Sequence, residues 1–187
     1  MKLKIYKISH PLIKLMLTRM ETEYLSAIDK KYYERYIGFF VIYEILRKYM
    51  IIKNLHIQLL EGSKKIETID IRTKYIILTN LSDTYSMISE IKFITSNVHI
   101  IHTEYEDINK IKNYLERIGK IDNNSYIFII EKTTKNYKII NLIDYLKNTS
   151  HIALSKISIG NILSDSTILK KIGEQYPELK VYTTQIK

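Results

Sequence analysis

Two nearly unbroken apolar runs, Tyr75-Ile76-Ile77-Leu78-Thr79 and Ile127-Phe128-Ile129-Ile130, most constrain what this chain can become. They are too short for core helices and lack the alternation of a half-exposed strand, so they read as strands buried on both faces. Such strands need helices above and below them, and helix-period patterns follow each run. After the first, a polar stretch at 80–86 predicts a loop, and Met87, Ile88, Ile91 and Ile94 predict a helix. A strand at 97–102, a charged connection at 103–107, a helix at 108–118 and a turn at 119–125 come next. The strand at 127–130 then opens a helix at 137–147, before a strand at 152–157, a helix at 168–176 and a last strand at 180–184. Strands alternating with helices predict an α/β fold with an open, mainly parallel sheet and helices on both faces. Ligands of such sheets lie at the carboxyl ends of the strands.

The first 50 residues predict a helical arm. Pro11 sits just inside a helix start capped by Ser9 or His10, and Leu12, Ile13, Met16, Leu17 and Met20 recur at helical spacing. A longer helix runs from Tyr24 to Met50, with Ile28, Tyr32, Tyr36, Phe39, Phe40, Tyr43 and Leu46 along one stripe that reads as core. Gly38 within it predicts a close helix contact. A strand at 55–60, the turn Glu61-Gly62-Ser63 and a short edge strand at 66–71 join the arm to the buried strands. With 187 residues and 45% apolar content, the chain is expected to form one domain, arm 1–50 and α/β core 51–187.

Composition removes several chemistries. With no Cys, a disulfide framework, a thiolate metal site and a Cys nucleophile are all excluded. The five His are dispersed, and the closest pair, His99 and His102, points to opposite faces of a strand, so no zinc pattern is present. The formal charge of +9 permits binding to nucleic acid or an anionic surface. Its lysines are spread along the chain, however, and Ile, Lys, Asn and Tyr dominate while Ala occurs only at Ala27 and Ala153. That vocabulary predicts an A- and T-rich genome, as in organelles, and a charge unrelated to binding. No segment approaches the roughly 18 continuous apolar residues of a membrane span, and the N-terminus carries no leader pattern and reads as part of the fold.

The unit from Ile127 onward carries the candidate site. A buried strand ending in Glu131, a short segment Lys132-Thr133-Thr134-Lys135-Asn136 and an amphipathic helix form the usual frame of a phosphate site, yet the segment contains no glycine. Backbone N–H groups approach a phosphate closely only where glycine removes the Cβ and allows positive φ. What is left is side-chain chemistry: Glu131, Lys132, Thr133, Thr134 and Lys135, with Lys138, are the candidate phosphate-binding residues. Glu104, Glu106 and Asp107 could hold Mg²⁺, although acids in a helix's first turn are the ordinary explanation.

His10-Pro11-Leu12-Ile13-Lys14 with Leu17 and Met20, Gly38 with Tyr43-Glu44, and Tyr176-Pro177-Glu178-Leu179 followed by Val181-Tyr182-Thr183 and Ile186 resemble uracil phosphoribosyltransferases in order and spacing. In particular the chain looks like the shortened homologues of some algal plastid genomes. The resemblance implies a type I-like phosphoribosyltransferase fold and formation of UMP from uracil and phosphoribosyl pyrophosphate. It also shows three departures. The family's Arg-Ala-Gly pyrophosphate loop is replaced by Asn80-Leu81-Ser82-Asp83-Thr84-Tyr85-Ser86. The Thr-Gly-Gly phosphate loop is replaced by Thr133-Thr134-Lys135-Asn136, and the Gly- and Pro-rich uracil segment would begin where this sequence stops, at Lys187. The expectation is therefore a non-catalytic homologue with no catalytic residue and no cofactor, Mg²⁺ being needed only for residual activity. It would serve in the plastid stroma as a structural or protein-interaction module, as a homodimer or with another protein. The alternatives are a residual enzyme or phosphate or nucleotide sensor, and an RNA-binding protein.

Overall fold

The computed structural model describes residues 3–22, 24–91, 95, 97–104, 108–118, 121, 124–135 and 137–187. Ile94, Glu106, Asp107, Gly119 and Asn136 of the predicted segments lie outside them. The elements are β1 (Lys4–Lys7), α1 (Pro11–Thr22), α2 (Ala27–Tyr49), β2 (Ile52–Leu59), β3 (Gly62–Ile69), β4 (Lys74–Thr79) and α3 (Leu81–Ile88). They continue with β5 (Val98–His102), α4 (Ile108–Ile118), β6 (Ser125–Thr134), α5 (Lys138–Asp144), β7 (Ile157–Ser164), α6 (Ser166–Gln175) and β8 (Lys180–Ile186).

Six strands form one sheet in the order β1-β8-β7-β6-β4-β5, and every neighbouring pair is parallel. The apolar runs explain its centre: Ile77 pairs with Phe128 and Ile129 with Ile159, all fully or almost fully buried. Alternate side chains feed separate cores. Ile76, Leu78, Ile127 and Ile129 pack with α4, α5 and α6 on one face. Tyr75, Ile77, Phe128 and Ile130 pack with α1, α2 and α3 on the other. Side-chain caps start the helices where the apolar period begins: Ser26 for α2, Asn80 for α3 and Asp165 for α6, each accepting from backbone N–H groups within the first turn. His10 does the same for α1, its Nδ1 accepting from Leu12 N at 3.2 Å.

Several expectations need correction. The aromatic stripe of α2 is not core: Ile28, Tyr32, Tyr36 and Tyr43 are exposed, Phe39 and Phe40 half-buried, and of that stripe Leu46 alone is buried. The buried stripe is Ile37, Val41, Ile42, Ile45 and Tyr49, rotated around the helix toward the aliphatic side chains that fit the sheet surface. The stretch 80–86 is helix rather than loop, because Asn80 caps it directly after β4. The segment after Ile130 is strand as far as Thr134, paired through Glu131↔Asn161, Thr133↔Leu163 and Thr134↔Ser164. The strand expected at 152–157 begins only at Ile157, after a 3₁₀ turn at Leu154–Lys156, and runs to Ser164. The helix at 137–147 is α over Lys138–Asp144 and π over Tyr145–Thr149. Strand β1 lies outside the predicted strands. The strands near 55–60 and 66–71 are longer and pair only with each other, as an antiparallel hairpin of β2 and β3 apart from the main sheet. At its base Lys53 Nζ lies 2.6 Å from Asp70 Oδ2, a hydrogen bond that holds the Asp70 carboxyl below the usual carboxylate range.

Candidate functional site

Adjacent strands β4 and β6 send the chain to opposite faces, β4 into α3 and β6 into α5. This divergence opens a crevice at their carboxyl ends, the position where open α/β sheets hold ligands. A cleft of about 310 Å³ lies there, lined by Asn80, Asp83 and Thr84 from the start of α3, Glu104 beyond β5, and Ile130, Glu131, Lys132, Thr133, Lys135 and Lys138. Its floor is latched by Thr79, whose Oγ1 donates to the Ile130 carbonyl at 2.6 Å and lies 2.6 Å from Thr84 Oγ1.

The α3 side of the cleft offers an anion little. A helix start normally leaves its first N–H groups free for a ligand. Here Leu81 N donates to His102 Nδ1 at 3.1 Å and Ser82 N to Asn80 Oδ1 at 3.1 Å. Asp83 N and Thr84 N both donate to the Asn80 carbonyl, at 3.1 and 3.0 Å. All four donors are thus satisfied within the chain, and Asp83 adds a negative charge beside them.

The β6 side differs from the expected loop. Of the five predicted residues, Glu131, Lys132, Thr133 and Lys135 do line the cleft, whereas Thr134 is fully buried. Thr134 Oγ1 accepts from Asn161 Nδ2 at 2.6 Å, and its carbonyl accepts from Asp165 N at 3.2 Å. Asn161 in turn accepts from Ser164 Oγ at 2.8 Å, in a fully buried polar network that ties β6 to β7. Lys132 points to the opposite face from Glu131 and forms an ion pair with Glu34 of α2, a carboxylate only 6% exposed.

With Asp83, Glu104 and Glu131 in the lining, Glu34 brings the carboxylates to four against Lys132, Lys135 and Lys138. Among the described residues, no group of three or more His, Asp or Glu side chains is placed to hold a metal ion. Glu106 and Asp107, set beside Glu104 in the sequence as a Mg²⁺ candidate, lie outside the described residues. Sequence reasoning missed Glu34. Glu34 carried a signal, since it stands one helical turn before Ile37 and two before Val41, on the buried stripe of α2.

Comparison with known proteins agrees with this architecture. The structure superposes on that of the AQ2163 protein from Aquifex aeolicus with a TM-score of 0.69, at 18% identity, covering 98% of this chain and 87% of that one. No curated protein sequence matches the chain. The family model for uracil phosphoribosyltransferase matches residues 7–187, nearly the whole length that carries the sheet and both helical layers, and the chain belongs to that family.

Proposed function

We propose that this member of the family has given up phosphoribosyl transfer and serves as a structural or protein-interaction module. The course of β6 carries this reading. Where the family's resemblance calls for a glycine loop around a phosphate, the chain continues as strand, and Thr134 is consumed in hydrogen bonds to Asn161 and Asp165. The saturated N-terminus of α3 supports the same reading on the pyrophosphate side. Phosphoribosyl transfer needs donor groups already aimed at the phosphates, and each missing donor costs about 3 kcal/mol of transition-state stabilisation. Losing two sets of them leaves positioning without electrostatic support. The A- and T-rich vocabulary supports a plastid setting.

Exposed apolar surface supports the interaction half of the reading. Tyr32, Tyr36 and Tyr43 stand out from α2, and Leu55, Ile57 and Leu59 from the hairpin, each more than 40% exposed. Their partner would be a second copy of the chain or another protein. The test is direct: purified protein incubated with uracil, phosphoribosyl pyrophosphate and Mg²⁺ is expected to form no UMP above the uncatalysed background. Enzyme-dependent UMP formation overturns the non-catalytic reading.

A further inference from the structure

We infer that Glu34 decides which charge the cleft accepts, by serving as a built-in counter-anion to Lys132 where a free phosphate would otherwise bind. This inference rests on the reading of the cleft as a former phosphate site. Lys132 lines the cleft and has a side chain 44% exposed, so it is placed to meet a ligand from solvent. Its ammonium is instead paired with Glu34, which also accepts from Ser86 Oγ at 3.4 Å. Glu34 is 6% exposed on a helix whose neighbouring inward positions are Ile37, Gly38 and Val41. A carboxylate that far from water persists only where it is paired, so the contact is built into the core and is not a passing surface pair.

Competition favours the tethered group. A carboxylate fixed on α2 meets Lys132 at an effective concentration of millimolar or above without any loss of free translation. A phosphate brought to the same lysine would also face the Glu34 charge within a few ångströms, in surroundings drier than bulk water. The resting cleft therefore turns phosphates away. Neutralising Glu34 frees the ammonium beside Lys135 and Lys138, on the same cleft wall.

The test is calorimetric titration of inorganic pyrophosphate into the full-length wild type, Glu34→Gln, and the Glu34→Gln/Lys132→Gln pair. Glu34→Gln is expected to bind pyrophosphate at least about tenfold more tightly than the wild type, and the double substitution to lose that gain. The inference is overturned by equal affinity of Glu34→Gln and wild type, or by a gain that survives removal of Lys132. Should Glu34→Gln not fold, Glu34→Asp retracts the carboxylate by one methylene, and a gain of at least severalfold is then required. Equal affinity there overturns the inference too. UMP formation by the wild type would overturn the non-catalytic reading and this one with it, since turnover needs phosphoribosyl pyrophosphate in the cleft, whereas unchanged pyrophosphate affinity removes this one alone.

Discussion

A methyl group placed on Gly38 would lie 2.4 Å from Met87 Cβ and 2.6 Å from Met87 Cα. The second distance matters more, because a Cα cannot swing aside as a side-chain end can. Gly38 is therefore what allows α3 to lie against α2, and α3 in turn brings Asn80, Asp83 and Thr84 to the cleft. Helix propensity alone would make Gly38→Ala stabilising by about 1 kcal/mol. Overpacking against a backbone outweighs it, so the variant is expected to be less stable by about 1–3 kcal/mol in urea denaturation. A rise in the denaturation midpoint would mean that α3 yields freely. The contrast with Gly160 is instructive: there the nearest atoms are Ile45 Cδ1 at 2.6 Å and Ile130 Cδ1 at 2.8 Å, both ends of flexible side chains. The sequence announces a close contact at Gly38, since a glycine inside a strong helix needs a reason, but Met87 as the partner is a tertiary fact that no local pattern contains.

At the scale of elements, the extension of β6 from Glu131 to Thr134 separates this cleft from a phosphate loop. Its stability rests on the buried hydrogen bonds among Thr134, Asn161 and Ser164. Asn161→Ala leaves two buried hydroxyl groups without that partner and is expected to cost about 2–3 kcal/mol. In the wild type, the amides at 131–134 are expected to exchange with deuterium as slowly as those of β4, and loop-like exchange there would contradict the strand. Legibility in the sequence follows the side chains. The inner strand β4 and the start of β6 are readable because burial on both faces demands apolar residues in succession. The end of β6 was not readable, because its Glu-Lys-Thr-Thr side chains face a cleft, a helix or a polar network instead of a hydrocarbon core. For the same reason the apolar pattern points to a strand earlier than β7: Ser158, Gly160 and Asn161 interrupt its apolar run, although all are buried. Strand β1 is four exposed edge residues bracketed by lysines, which carry no burial signal at all. On α2 the sequence offers two helical stripes, and the aliphatic one packs while the aromatic one stays largely exposed.

On the scale of the whole molecule, the hairpin of β2 and β3 is the part that the parallel sheet does not explain. A two-stranded sheet alone is marginal in water, because one of its faces normally needs cover. Leu55, Ile57 and Leu59 share one face of β2 by alternation, and Ile66 lies directly opposite Leu55 on β3. All four are exposed, between 37% and 52%, with Leu60 at the turn fully exposed. Each such side chain, if covered, contributes about 1.5–3 kcal/mol, enough together to offset much of the cost of association. Charge does not oppose it strongly, since Glu61 and Glu67 accompany Lys64 and Lys65 on the same hairpin. Sedimentation at micromolar concentration is therefore expected to give a dimer, about twice the 22.2 kDa of one chain. Replacing Leu55, Ile57 and Leu59 together by Ser is expected to return the protein to a monomer while circular dichroism of the α/β core stays unchanged, because none of the three contributes to either core cluster. A wild type that sediments as a monomer would refute this dimer. A triple variant that stays dimeric would move the interface to another surface, such as the exposed tyrosines Tyr32, Tyr36 and Tyr43 of α2.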